Sequence, residues 1–200
     1  ALALAAPARA ETPHTLTIAT LAPEGSSWMK WLREWDRAVQ KRTSGRVRLK
    51  FHTGTLLEDE AELLRLMHLG KVQGAAVTGA ALGRLQPEIR VLEALLLIKT
   101  DAELDFVWQR LGDHFRRKFE ERGYVLLACA DGGWVHVFSA RPILSLEDMK
   151  RAQAWVHVDD PSARTFMATV GATALPLGIT GVLPAITTGH VNVVYGPPMG

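Results

Sequence analysis

Apolar and polar positions along this chain follow two rhythms, a period of two over short runs and a period near 3.6 over longer ones, and the two take turns. The short runs predict strands at Leu16 to Leu21, Val47 to Phe51, Gln73 to Thr78, Tyr124 to Ala130, Trp134 to Ser139, Ala154 to Val158, Thr173 to Leu177 and Val191 to Tyr195. The longer runs predict helices. Trp28, Trp31, Leu32, Trp35 and Val39 make one stripe, with Lys30, Arg33, Arg37 and Lys41 off it. Leu104, Val107, Trp108, Leu111, Phe115 and Phe119 make the cleanest stripe. Other helices are expected from about Glu58 to Leu69, after Ser145, from Pro161 to Val170 and near Gly181 to Thr188. The stretch from Gly79 through Pro87 reads as loop, and Ile89 to Ile98 is apolar without a clear period.

Local punctuation supports these limits. Thr100 with Glu103 and Ser145 with Asp148 have capping-box spacing, and Asp160-Pro161 places an N-cap before a proline at the first helical position. Gly70, Gly123 and Gly171 stop helices. Strands alternating with helices imply βαβ units and mainly parallel sheets, an α/β fold. Asp131-Gly132-Gly133 is a hinge-like break that divides the strands into two groups. The expected organisation is a leader remnant at 1–10, lobe I at 11–132 and lobe II at 133–200, with a cleft between the lobes. The second group is short, so the chain is expected to lack a C-terminal portion.

Composition narrows the class. Of 200 residues 48% are hydrophobic and 22% charged, and 23 basic against 21 acidic residues give a net charge of only +2, with no basic field for nucleic acid. ALALAAPARA ends in Ala8-Arg9-Ala10, the A-x-A form read by a signal peptidase, so export with cleavage after Ala10 is expected. Cys129, the single cysteine, lies in an apolar run and is expected to be buried and inert.

The chain carries no G-x-S-x-G, H-E-x-x-H, P-loop, paired C-x-x-C or G-x-G-x-x-G after its first strand, which removes the specific reasons to propose an enzyme. No cofactor or metal is expected; His157-Val158-Asp159-Asp160 is only weakly metal-like. Trp-Val-His-Val occurs at 134–137 and again at 155–158, which in neighbouring strands would set two Trp and two His on defined faces. Trp155 belongs to the Ala154 to Val158 strand, which ends directly at a helix start, and the last side chains of such a strand lie at the rim where open α/β sheets bind ligands. Trp28 fits a core stripe or a cleft wall.

Four stretches in order, LTIATLAPEGSSW, FHTGTLLEDEAELLRLMHLGKVQGAAVTG, DGGWVHVFSARPILSLEDMK and LPAITTGHVNVVYGPP, resemble the DctP-type solute-binding subunits of TRAP (tripartite ATP-independent periplasmic) transporters. The resemblance implies a periplasmic-binding-protein-like fold of two Rossmann-like lobes closing on a small organic ligand, with TRAP membrane subunits as partners. In most such proteins an arginine grips a substrate carboxylate at the position that Trp155 matches here. A subgroup with tryptophan there is linked to hydrophobic ligands and to a tetratricopeptide-repeat partner. Tryptophan offers an apolar face and one N–H donor, so the expected ligand is apolar or aromatic, or a cation over the ring. By matching position the lining residues are Ala22, Ser26, Ser27, Trp28, Thr78, Gly79, Trp134, Trp155, Tyr195, Gly196 and Pro197. The competing reading is an exported α/β enzyme using the same cleft, with His136 or His157 as base.

Overall fold

The structure, a computed structural model, describes residues 12–53 and 59–198. The expected leader at 1–10 lies outside them. Two compact units are present: Ala1–Leu57 with Glu62–Ala76, and Glu58–Ala61 with Val77–Gly200. The two groups of strands separate between residues 76 and 136, while the units divide already at Ala76, so the helices in between go with the second unit and not with 11–132 as a block.

In the first unit β1 (His14–Thr20), β2 (Val47–Thr53) and β3 (Gly74–Ala76) form a parallel sheet in the order β2-β1-β3. Leu16 lies opposite Leu49, and Ile18 lies between Phe51 and Gly74. Helix α1 (Ser27–Arg42) connects β1 to β2, and α2 (Glu60–His68) connects β2 to β3. Ile18, Ala19, Met29, Leu49, Leu63 and Val72 are buried. The face of α1 turned inward is not the tryptophan stripe: Met29 is 1% exposed, whereas Trp31 is 46% and Trp35 36% exposed. The partly covered positions are Trp28, Leu32, Asp36, Val39 and Gln40. Asp36 belongs there because its Oδ1 accepts the Leu49 N–H at 2.7 Å and its Oδ2 accepts from Gln40 at 2.7 Å. A reading based on apolar spacing excludes such a polar position, and so rotates the helix by about one residue.

The second unit holds β4 (His136–Ser139), β5 (Gln153–His157), β6 (Thr173–Leu177) and β7 (Val193–Gly196) in the order β4-β7-β5-β6. β5 runs parallel to β6 and β7, and β4 antiparallel to β7. The two Trp-Val-His-Val runs are therefore not neighbours, since β7 lies between β4 and β5. Helices α5 (Leu146–Lys150), α6 (Pro161–Thr169) and α7 (Ile179–Thr187) make the connections. Ala152, Ala154, Val156, Ala163, Met167, Ala172 and Val193 form the core between sheet and helices. Small residues on the strands let α6 approach closely.

Ahead of this sheet lie α3 (Gly79–Leu85), a 3-10 helix (Pro87–Glu93) and α4 (Asp101–Glu120). Helix α3 replaces the expected loop. Its Gly-Ala-Ala-Leu-Gly-Arg-Leu sequence gives no amphipathic signal, and its start is set by Thr78, whose hydroxyl caps the Ala81 N–H. The expected strand at Tyr124 to Ala130 is absent. Its period of two is still visible in burial, because Tyr124 and Leu126 pack on the Phe115–Phe119 cluster while Val125 and Leu127 are exposed, but no neighbouring strand pairs with it among the described residues. Cys129 is correspondingly exposed instead of buried. Burial of its surroundings still pushes the thiol up, helped by Glu93 and Asp131.

Helix α4 starts as its sequence predicts. Thr100 accepts the Glu103 N–H at 3.2 Å, and the Glu103 carboxylate reaches back to the Lys99 N–H at 2.7 Å. Thr100→Ala removes that cap, so we expect a loss of about 1 kcal/mol, read as a Tm about 2–4 °C lower in a thermal melt. No measurable change would assign the helix start to packing alone.

Candidate functional site

The predicted lining residues lie at helix starts (Ser26 to Trp28, Thr78 and Gly79), in or just after β7 (Tyr195 to Pro197), in loops beside β1 and β4 (Ala22, Trp134) and, for Trp155, in the middle of β5. In the first unit the chain leaves β1 at Thr20, whose Oγ1 accepts the Ala22 N–H at 3.1 Å. Ser26 then caps α1 by accepting the Met29 N–H at 3.2 Å. Ser27 is exposed, and Trp28 is half-buried edge-on to Trp31, with ring centroids 5.3 Å apart. Glu24 closes this loop against Thr53 at 2.9 Å and Arg33 at 2.6 Å, and those two contacts, Thr53 first, hold its carboxyl below the usual range.

In the second unit Trp155 and His157 of β5 converge with Tyr195 of β7. The Trp155 indole stacks on Tyr195 with centroids 5.2 Å apart and planes 26° apart, and it meets the His157 ring edge-on at 6.3 Å. The Trp155 Nε1–H donates to the Leu177 carbonyl at 3.0 Å. The register β5–β6 explains this, because Trp155 lies opposite Leu175 and so reaches the end of β6 two residues on. The single polar group of the indole is thus committed to the sheet, and what remains is ring surface.

His157 is 7% exposed. Its Nδ1 accepts the Asp159 N–H at 3.1 Å, which puts the proton of the neutral ring on Nε2, facing Glu60 Oε2 at 3.8 Å. Glu60, 3% exposed, accepts the Thr78 N–H at 2.6 Å and the Thr78 hydroxyl at 2.5 Å. Thr78 therefore caps α3 and is itself held by a carboxylate. Gly79 follows for a steric reason: a Cβ there would overlap the Glu93 carboxylate. Glu93 lies within the influence of Asp160, Glu60 and His157, and its carboxyl is pushed up, by burial first, with Arg90 opposing and Asp160 and Glu60 adding. Arg90 bridges Glu93 at 2.8 Å and Asp160 at 2.9 Å. Asp160 Oδ1 also caps α6 by accepting the Ser162 and Ala163 N–H groups. Arg84 pairs with Asp159 Oδ1.

Tyr195 belongs to the same network. Its hydroxyl accepts the His157 N–H at 3.5 Å, and burial, then the neighbouring Asp160, pushes its pKa up to about 12 from 10.0. A phenol whose folded value lies above its unfolded one stabilises the fold below the unfolded value and loses that contribution as pH rises through the folded one. The window here runs from 10.0 to about 12. Tyr195→Phe is expected to flatten the loss of stability across that window in chemical denaturation; an unchanged slope would mean that the hydroxyl is hydrated.

Trp134, Gly196 and Pro197 are less central. Trp134 precedes β4, is 45% exposed, and its Nε1–H donates to Asp101 at 3.0 Å. Gly196 lies opposite His136 in the β4–β7 pairing, and Pro197 lies beside Gly133. His136 is exposed and its Nδ1 bonds the Trp134 carbonyl at 2.8 Å, with no carboxylate hydrogen-bonded to it among the described residues. Among the described residues no three carboxylate, imidazole or thiol groups converge as for a metal ion. Glu60, Arg84, Arg90 and Glu93 escape sequence reading because each looks like an ordinary charge on a helix, and only tertiary packing brings them together. Asp160 was visible, as a cap alone.

Residues 18–197 match the DctP family, bacterial extracellular solute-binding protein family 7. A solute-binding protein of Verminephrobacter eiseniae is 23% identical over 194 residues, 96% of this chain and 57% of that protein. Among solved structures, a TRAP periplasmic solute-binding protein of Desulfovibrio salexigens with bound orotic acid is 22% identical with a TM-score of 0.81, over 92% of this chain and 60% of its own. DctP7 of Bordetella pertussis, an extracytoplasmic solute receptor binding pyroglutamic acid, is 20% identical with a TM-score of 0.83, over 92% and 61%. The chain thus spans about three fifths of the length of the proteins it matches, and the fold is theirs. On the match across residues 18–197, the chain belongs to the DctP family of bacterial extracellular solute-binding proteins.

Proposed function

We propose that this chain is the solute-capturing part of a TRAP-type transporter, exported to the periplasm with cleavage after Ala10. Two lobes close on a small apolar or aromatic solute and present it to the membrane subunits, with a tetratricopeptide-repeat protein as a further partner. Gly133, inside the second unit, suits a bend ahead of β4, since its φ of +98° is a conformation that residues with a Cβ rarely adopt. Closure on a ligand is the expected behaviour of a two-lobe receptor, in which the ligand shifts the population towards the closed form.

The observation that carries the ligand class is Trp155. Its ring is stacked on Tyr195 and its only donor is taken by Leu177, so it presents surface without charge. A carboxylate needs a cation or several free donors, and Arg84 and Arg90 are already paired with acids. This separates the chain from the neighbours named above, whose ligands are orotic and pyroglutamic acid. The lining contributed by Ala22, Ser26, Ser27 and Trp28 on one lobe and by Thr78, Gly79, Trp134, Trp155, Tyr195, Gly196 and Pro197 around the other is part of the same proposal. An enzymatic role for His157 is disfavoured by its setting, since the residue is 7% exposed, its Nδ1 accepts the Asp159 N–H and its Nε2 faces Glu60 at 3.8 Å.

The test is native mass spectrometry of the full-length protein from a periplasm, with denaturing release and identification of any co-purified molecule. An apolar or aromatic compound is expected. A small dicarboxylate would keep the transporter reading and refute the ligand class. Neither a bound molecule nor ligand-dependent compaction in solution scattering would refute both.

A further inference from the structure

Building on the proposal that this chain binds a small solute, we infer that the solute carries a cationic hydrogen-bond donor, an ammonium head beside its apolar or aromatic body, and that Asp159 receives it. The first observation is an orphaned oxygen. The Asp159 side chain is 6% exposed; Oδ1 pairs with Arg84, and Oδ2 is buried with no hydrogen-bond partner among the described residues. Buried carboxylate oxygens are ordinarily satisfied, and an unsatisfied one marks a missing donor. Arg84 is 48% exposed, so Asp159 is reached by displacing a surface side chain, with the core left closed.

The second observation is the charge around it. Among the described residues Glu93, Asp159 and Asp160 pair with Arg84 and Arg90, Glu60 faces His157, and the Arg164 guanidinium is bound to the Val158 carbonyl beside them, so four carboxyl groups meet three arginines. Negative charge is in surplus, so an incoming anion would be repelled and an incoming cation attracted. The third observation is that this acidic group adjoins the aromatic wall. The Asp159 backbone N–H donates to the ring of His157, which meets Trp155 edge-on, and the Asp160 carboxylate lies by the Tyr195 hydroxyl. An ammonium near carboxylate and ring faces together gains from both.

The test uses the full-length protein and three probes of one shape, 2-phenylethylamine, 2-phenylethanol and phenylacetate, titrated calorimetrically at neutral pH. The amine is expected to bind about tenfold tighter than the alcohol and more still over the carboxylate. Asp159→Asn should remove the amine's advantage while leaving the alcohol within about threefold, and Arg84→Gln, which keeps Asp159, should retain or increase it. Retention of the amine preference in folded Asp159→Asn overturns the inference, and so does preferred binding of phenylacetate; both outcomes leave solute capture standing. If none of the probes binds, the charge of the molecule released from the periplasmic protein decides. A cation upholds the inference, an anion overturns it, and no released molecule overturns it together with the solute-binding reading.

Discussion

Trp155→Ala is expected to weaken binding of an aromatic solute by about two orders of magnitude, from loss of apolar contact and of ring geometry together worth about 2–3 kcal/mol. The indole is the largest of the rings that converge from β5 and β7, and it is held from two sides, by Tyr195 stacking and by the bond to the Leu177 carbonyl. Truncation removes the wall and also leaves Tyr195 without its stacking partner. Trp155→Phe separates these effects, because it keeps a ring face and drops only the bond to Leu177; its affinity should stay within about tenfold of the parent. Calorimetric titration of both variants with 2-phenylethanol is the check. Trp155→Ala binding within about threefold of the parent would show that the solute lies elsewhere.

The largest effect on stability is expected at Glu60. Removing this side chain in Glu60→Ala leaves the Thr78 N–H and hydroxyl without their acceptor in a place that is 3% exposed, and takes away the group that the His157 Nε2–H faces. Bonds to a charged acceptor contribute more than neutral ones, and an orphaned buried donor adds its own desolvation, so the loss is about 3 kcal/mol. In a chain of this size that lowers the Tm by about 6–12 °C. Glu60→Gln should lose less, since the amide carbonyl still accepts one bond while its NH2 opposes the other donor. A Glu60→Ala melt within about 2 °C of the parent would mean that Thr78 finds water or another acceptor.

Much of the element order follows from local signals. The caps at Ser26, Thr100, Ser145 and Asp160 each make the backbone bond that their residue type and spacing predict. The strands at Val47 and Thr173 begin where the alternation begins. The failures have physical causes. Helix α3 is short and made of small residues, so it has no stripe to detect, and its existence depends on Glu60 orienting Thr78 from 18 residues away. The apolar run at Tyr124 has the burial rhythm of a strand, but a strand needs a partner, which no local pattern supplies. The tryptophans of α1 mislead because the inward face includes Asp36, a polar residue with a backbone donor to satisfy. At the site, Trp155 and Tyr195 were legible because strands that run into helices and turns have a recognisable sequence. The charged ring around them was not, because Glu60, Arg84, Arg90 and Glu93 sit on three separate helical segments and only the fold makes them neighbours.

The stacking of Tyr195 on Trp155 also has an optical consequence. At 5.2 Å between centroids, light absorbed by this phenol passes to the indole before it can be emitted, so Tyr195 contributes no emission band of its own. The indole itself donates to a carbonyl and has an imidazole edge-on to its ring, both of which shape its colour and brightness. Of the six tryptophans in the chain, this one has its spectrum set by Tyr195, Leu177 and His157 at the candidate site. A change in that pocket can therefore be followed without any label, as the difference between the emission of the parent and of Trp155→Phe.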